Sequence, residues 1–259
     1  MSPRGITTAF ILDTTAYRDH DLMVRLFTRE TGALSAIAYH ARRAGKRFPS
    51  GVDRITLAEV TIARKGSGPF VLQGVDPREL YWSLKSDLER SCVATLWTEM
   101  LMHSHGEADE LPALFDMTCW FLSGLDNDGY GNPQSAALQA AIAIPAALEF
   151  LDTRFQCSRC NASGTNHDWT LMSDTGQLLC ANHKDSLRYG VHLGASQAQL
   201  LLSALEGIGE KTSLDLDPQA ASVLLFRLEP FLSSLFNRRL KSLDFLADLW
   251  GAQRKLEPG

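Results

Sequence analysis

Two pairs of metal-ligand side chains constrain this chain more than any other feature: Cys157-Ser-Arg-Cys160, then Cys180-Ala-Asn-His183. A two-residue gap lets both members of a pair reach one ion, and a tetrahedral Zn2+ takes four sulfur or nitrogen donors. The backbone must therefore return to a single point between residues 157 and 183. The intervening Asn161–Leu179 is polar and contains Gly164 and Gly176, as a turn-rich insert would. Protein then fills all four positions, which describes a structural zinc knuckle and leaves no open site for substrate. The plainer alternative is scattered free thiols, the state expected of Cys92 and Cys119 in their apolar helical patterns. His167 is a rival fourth ligand, but it lacks the spacing. Nucleobase deaminases carry His-x-Glu and Pro-Cys-x-x-Cys, and His105-Gly-Glu107 does precede the first pair. Gln156, however, stands in the place of the proline, and Cys180 and His183 would be left without a role.

Ahead of the knuckle the pattern is β. Ile6–Asp13, Leu22–Thr28, Leu34–His40, Ile55–Ala63 and Pro69–Val75 are short runs rich in apolar and β-branched residues. Turn residues separate them, among them Arg29–Gly32, Pro49-Ser-Gly51 and Gly66-Ser-Gly68. Five short strands fit a small closed barrel, because closure removes exposed edges. The OB-fold is the commonest five-stranded solution of this size, and an SH3-like barrel is its rival.

From Leu84 the period becomes helical. Leu84, Leu88, Cys92, Leu96 and Met100 form one stripe, and Leu111, Leu114, Phe115, Thr118, Leu122 and Leu125 a second. Asp126–Pro133 breaks the pattern before a third helix, Gln134–Asp152, which Pro145 should kink. Beyond the knuckle, Ser196 is expected to cap one helix and Pro218 to open another running to Leu235, with a last segment at Leu243–Trp250. The expected fold class is therefore α+β: a five-stranded OB-type barrel at 1–80, then a helical domain at 81–259 with a zinc knuckle inserted at 157–183. The 259-residue length agrees with about two domains.

Charge is divided unevenly. Residues 1–80 carry 12 Lys/Arg against 8 Asp/Glu, whereas 81–259 carry 13 against 22, for a net −5. An acidic total argues against indiscriminate polyanion binding, while a basic amino-terminal part permits it on one face. The cations concentrate in Arg42, Arg43, Lys46 and Arg47 after the third strand, with Arg54, Arg64 and Lys65 beyond; only Asp53 and Glu59 oppose them. A barrel with a cationic loop suits a phosphate backbone, because neutralised phosphates release counterions. The alternative is a solvated surface loop. Tyr17 and Phe48, in loops, are the aromatics suited to stacking on bases, and interdomain packing is their commoner use.

Catalytic patterns are missing. The chain has no Walker loop, no G-x-S-x-G, no Rossmann glycine fingerprint and no H-E-x-x-H, so a non-enzymatic role is expected. The start, Met-Ser-Pro-Arg-Gly, lacks an apolar signal region. The longest apolar run, Ala136–Leu151, is interrupted by Gln139, Pro145 and Glu149 and is too short for a bilayer. A cytoplasmic protein without membrane contact is the expectation, and free thiols beside a metal suit that reducing compartment. Near the carboxyl end, Arg227, Arg238, Arg239 and Lys241 accompany Phe231, Leu235, Phe236 and Leu240. Such cations beside apolar residues can dock an acidic peptide ending in an aromatic and a carboxylate. Solvated charge at a helix end is the alternative.

The chain as a whole resembles the RecO family of bacterial recombination mediators. The resemblance is carried by Thr15–Leu34, Ala41-Arg42-Arg43, Ser86–Arg90, the two knuckle pairs, Leu240-Lys241-Ser242 and Phe245-Leu246. It runs over nearly the whole length. It implies an amino-terminal OB barrel on a helical domain, with zinc held in many members. It further implies binding of single- and double-stranded DNA, annealing of complementary strands, and a nucleoid-associated place in the cytoplasm. Association with RecR and with the acidic carboxy-terminal tail of single-strand-binding protein, which helps to load RecA, is implied as well. The family's basic stretch falls on Arg42 and Arg43, with Lys46 and Arg47 where further cations are common, and its knuckle ligands fall on Cys157, Cys160, Cys180 and His183. This chain departs from the family at His40, where glycine is usual, and at His183, which replaces a cysteine. The competing class is an adaptor that contacts protein through its helical domain and leaves DNA alone.

Overall fold

The computed structural model describes residues 4–43, 48, 51–64, 66–104, 110–183, 190–209, 212 and 215–251. Five strands come first: β1 (Arg4–Ala16), β2 (Leu22–Thr28), β3 (Gly32–Ala38), β4 (Thr56–Arg64) and β5 (Phe70–Glu79). They close into a barrel in the order β1-β2-β3-β5-β4, with β4 returning to β1. Alternation explains the closure. Ala58, Val60 and Ile62 of β4 point inward to meet Ala9, Ile11, Val24, Leu26, Ala36 and Leu72 in one core. A register shift between Ile11 and Asp13 bends β1. Its first part pairs with β4, and the stretch from Asp13 onward pairs with β2 alone. Ladders are antiparallel except β3 with β5, where Ala36 lies beside Phe70. On the outer face, Phe10 and Phe27 turn to Phe115, with ring centroids 5.0 and 6.3 Å away.

Helices follow: α1 (Trp82–Ser86), α2 (Leu88–His103), α3 (Leu111–Asp126) and α4 (Pro133–Ala147). The chain divides into two compact units. One comprises Met1–Lys85 with Thr98–Cys119, the other Ser86–Trp97 with Trp120–Gly259. Residues 82–103 are not one continuous helix. Asp87 breaks them and caps α2 by accepting the Arg90 N–H at 3.0 Å. The stripe expected through Leu88 is thereby reset, and Leu88 is 60% exposed. The second stripe is as expected, with Leu111, Leu114, Phe115, Thr118, Leu122 and Leu125 all buried.

In the second unit α4 is buried on every side from Ser135 to Pro145. It packs against α5 (Ala195–Gly209) and α6 (Pro218–Arg227). It stops at Ala147, short of Asp152, because Glu149 takes a left-handed φ of 57°. The Phe150 and Leu151 N–H groups then turn back to the Pro145 carbonyl. Ser196 does not cap α5. The cap is Gly194, whose N–H donates to Gln197 Oε1, the reciprocal half of a capping box. Nor does the helix opened by Pro218 continue to Leu235. It breaks at Leu228 into α6 and α7 (Glu229–Leu235), because Pro230 has no N–H to carry the ladder across. The final helix is α8 (Lys241–Leu249). Between α4 and α5 lies a three-stranded sheet absent from the sequence reading, ordered β7-β6-β8 from β6 (Trp169–Met172), β7 (Leu178–Cys180) and β8 (Gly190–Leu193). Among the described residues, no helix is long and apolar enough to cross a membrane.

Candidate functional site

Strand register gathers three loops around the carboxyl end of β3. Leu22, which follows the β1–β2 loop, pairs with Ala38. Phe70, which follows the β4–β5 turn, pairs with Ala36 from the other side. Two strand spacings of ~4.8 Å separate those flanking strands, so the two loops stand about 10 Å apart across the rim. The segment with Arg42 and Arg43 emerges between them.

Hydrogen bonds lock this segment to the β1–β2 loop. Arg42 N–H donates to the His20 carbonyl at 3.1 Å, and Arg42 Nη1 reaches the Asp19 carbonyl at 3.3 Å. Asp21, only 7% exposed, accepts the His40 N–H through Oδ1 at 2.9 Å. Its backbone carbonyl accepts the Tyr17 N–H at 3.1 Å, closing the loop on itself. His40 has a left-handed φ of 60°, the conformation that glycine adopts without steric cost.

Arg18, Arg42, Arg43, Arg54 and Arg64 are all exposed. Three cations of this unit are matched to carboxylates: Arg29 to Asp116, Arg78 to Glu59 and Asp76, and Lys85 to Asp53. Among the described residues those five arginines enter no ion pair. Arg25, also exposed, is outside any ion pair among the described residues and donates to Ser35 Oγ at 2.8 Å. Arg64 donates to the Gly68 carbonyl through Nε and to Ser67 through Nη2, and its guanidinium lies 4.8 Å from the Phe70 ring centroid. Carbonyls orient a guanidinium without cancelling its charge, so these groups keep their attraction for an anion. Asp19, exposed in the same loop, offsets part of that field.

The rim does not unite every residue expected from sequence. Arg42, Arg43 and Arg64 come together there. Arg54 precedes β4 and stands at the opposite end of that strand from Arg64, beside the Lys85–Asp53 pair. Lys46, Arg47 and Lys65 lie outside the described residues. Phe48 is no base platform: it is 6% exposed and belongs to the barrel core. Tyr17 is 41% exposed. Sequence reasoning missed Arg18, whose guanidinium lies 5.2 Å from the Tyr17 centroid, although its adjacency to an exposed-loop aromatic was the available signal.

A second site forms in the other unit. The donor atoms of Cys157, Cys160, Cys180 and His183 all lie within 4.8 Å of one another. The first pair sits in a turn tied by Cys157 N–H to the Ala162 carbonyl and Asn161 N–H to the Cys157 carbonyl. A bridge between Gln156 and Ser163 closes the base of that turn. The second pair ends β7 and enters a 3-10 turn, Ala181–His183. Zinc–sulfur bonds of ~2.3 Å in a tetrahedron place sulfurs about 3.8 Å apart, and a sulfur–imidazole edge near 3.5 Å. The Cys160–Cys180 sulfurs are 3.8 Å apart, and His183 Nδ1 is 3.5 Å from Cys157 and 3.3 Å from Cys180. The residues present therefore fit a tetrahedral metal ion. Burial raises the Cys157 thiol, but hydrogen bonds from the Cys180, Arg159 and Cys160 backbone outweigh it and bring it down to about 6, towards the thiolate that a metal needs.

His167 takes no part. It stacks on Trp169 at 4.9 Å, and Trp169 packs edge-on against Phe155 at 5.1 Å, building an apolar wall under the sheet. His105 and Glu107 lie outside the described residues.

Of the carboxy-terminal cations, Arg227 donates to the His192 carbonyl and Gln197, while Arg239 pairs with Asp244 at 2.8 Å. Arg238, between α7 and α8, and Lys241, the first residue of α8, are exposed. Phe231, Phe236 and Leu240 are buried and so leave no open groove of their own.

Comparison with known proteins bears on both sites. Residues 1–81 match the family described as "Recombination protein O N terminal". Over 255 residues the chain is 29% identical to the DNA repair protein RecO of Anaeromyxobacter dehalogenans, covering 95% of this chain and 97% of that one. It is 30% identical over 178 residues to the protein of that name from Syntrophobacter fumaroxidans, covering 68% and 70%. The Listeria innocua counterpart is 25% identical over 243 residues, 92% of each chain.

Proposed function

From the premise that this chain belongs to the RecO family of DNA repair proteins, we propose that it is a non-enzymatic mediator that binds DNA at the barrel rim and anneals complementary single strands. The barrel order, with its one parallel β3–β5 pairing, is that of a Greek-key OB-type barrel, whose loops and strand faces commonly bind oligonucleotides. One observation carries the reading. Arg42, Arg43 and Arg64 converge on the end of β3 exposed and outside any ion pair among the described residues, while Arg29, Arg78 and Lys85 of the same unit are paired.

Annealing needs no bond chemistry. Two polyanions repel each other, and cations on one surface hold both strands close enough for pairing to nucleate. In this reading residues 1–80 are the DNA-binding domain, and 81–259 carries the protein contacts. Those contacts are with RecR and with the acidic carboxy-terminal tail of single-strand-binding protein, and through them the protein promotes RecA loading. Arg227, Arg238, Arg239 and Lys241 are the candidates for that tail. Cys157, Cys160, Cys180 and His183 hold a structural Zn2+, which cross-links two turns of the insert and takes no part in a reaction.

The test is a strand-annealing assay with Arg42, Arg43, Lys46 and Arg47 replaced by alanine. Annealing is expected to be lost with the fold intact. Unchanged annealing together with an unchanged salt dependence of binding would overturn the assignment and leave the adaptor class standing.

A further inference from the structure

We propose that the Tyr17 ring, with the Arg18 guanidinium beside it, is a stacking platform for an unpaired base, so that this rim distinguishes single strands from duplex. The inference rests on the nucleic-acid reading of the rim and adds to it a residue that charge alone does not supply. Cations attract the phosphates of both forms of DNA. Only a single strand can turn a base face outward at no cost in pairing, and an exposed aromatic is the complementary surface.

Tyr17 differs from the other rim aromatics. Phe48 is in the core, and Phe70 is half-buried with Arg64 over it. Tyr17 is 41% exposed on a loop held by four hydrogen bonds: its own N–H to Asp21, Asp21 to the His40 N–H, and Arg42 to both His20 and Asp19. A loop fixed in this way presents its ring without losing conformational freedom on binding. The neighbouring Arg18 is exposed and in no ion pair among the described residues, with its planar head 5.2 Å from the Tyr17 centroid. A guanidinium at that distance can share one base with the ring and neutralise the adjoining phosphate. Asp19 is the exposed carboxylate that works against them.

Fluorescence anisotropy with a labelled oligothymidylate, and with a duplex of equal length, at two salt concentrations tests the idea. Tyr17→Ala should weaken single-strand binding by about 5- to 100-fold while changing duplex binding less than twofold. Its log–log salt slope should match the parent, because no phosphate contact is removed. Tyr17→Phe should bind as the parent does, since the ring and not the hydroxyl acts. Equal losses on both DNA forms, or no loss on the single strand, would overturn the platform. The Arg42→Ala/Arg43→Ala variant keeps the two ideas separable. If it lowers the salt slope while Tyr17→Ala does nothing, the rim stands and the platform falls. If neither variant moves any value, the rim itself falls, and the platform with it.

Discussion

The barrel rim and the Cys/His cluster place polar groups in opposite ways. At the rim, arginines are anchored through backbone carbonyls and their charge is left facing outward. In the cluster, four donors turn toward one another, and two of them, Cys157 and Cys180, are 0% and 3% exposed. Charge that faces out is available for binding and contributes little to stability. Donors that face in contribute nothing to an external ligand, and their gain comes from tying the turn at 157–160 to the end of β7. Activity at the first site should therefore be separable from folding, and at the second it should not.

Metal removal is the largest expected perturbation, because a structural zinc contributes on the order of 10 kcal/mol to the folding of its module. Chelation, or Cys180→Ser, should strip hydrogen-exchange protection from β6 and β7 and leave the β2 and β4 amides protected. Equal loosening of both would break the comparison, since the barrel would then depend on the cluster. A close second is Gly176→Ala. Gly176 has φ +65° in the β6–β7 turn, where a Cβ would stand 1.5 Å from the Phe150 carbonyl oxygen. No side chain can yield there, so the backbone must move, and a loss of about 3 kcal/mol or more in stability is expected. Denaturant midpoints measure it. A loss under 1 kcal/mol would mean that this turn is not seated against residues 150–151.

At the rim, Arg42→Ala/Arg43→Ala should leave the denaturant midpoint nearly unchanged and act on binding instead. Each phosphate contact on a single strand contributes about 0.7 to the log–log salt slope, so the slope should become shallower by about 1.4. Arg54→Ala, at the far end of β4, should change it by less than half as much as either rim arginine. An Arg54 effect equal to that of Arg42 would extend the interface along the barrel wall.

What could be read from sequence divides along the same line. Strand alternation and Cys-x-x-Cys/His spacing are local signals, so five strands and one cluster of four donors are legible in the residues alone. The rim was only half legible. That Arg42 joins Arg64 follows from β3 lying between β2 and β5, and the parallel pairing of Ala36 with Phe70 has no local signature. Phe48 was misplaced for a related reason: it occurs among turn residues, yet its side chain is buried in the barrel core. The β7-β6-β8 sheet was hidden because its strands are three or four residues long, and Gly-rich polar sequence masks runs that short. Helix breaks were foreseeable in part. Pro230 signals one, whereas the apolar stripe running through Leu84 and Leu88 hides the break at Asp87, which caps α2.

The smallest predicted effect separates backbone from side chain at the rim itself. His40 has φ +60° at the end of β3, where its N–H is held by Asp21. A left-handed conformation costs a residue with a Cβ about 1–2 kcal/mol, and a glycine in its place gains flexibility worth about 0.4–1 kcal/mol in the unfolded chain. The balance predicts that His40→Gly stabilises the protein by about 0.5–1 kcal/mol, a rise of roughly 1–4 °C in Tm. The Asp21 hydrogen bond is a backbone contact and survives the change, so Arg42 should keep its place and DNA affinity should stay within twofold. His40→Ala supplies the control: it keeps the Cβ and should gain nothing in Tm. Should His40→Gly lose affinity while gaining stability, the imidazole itself would belong to the interface, and the rim would include the side chain of the turn that follows β3 as well as its arginines.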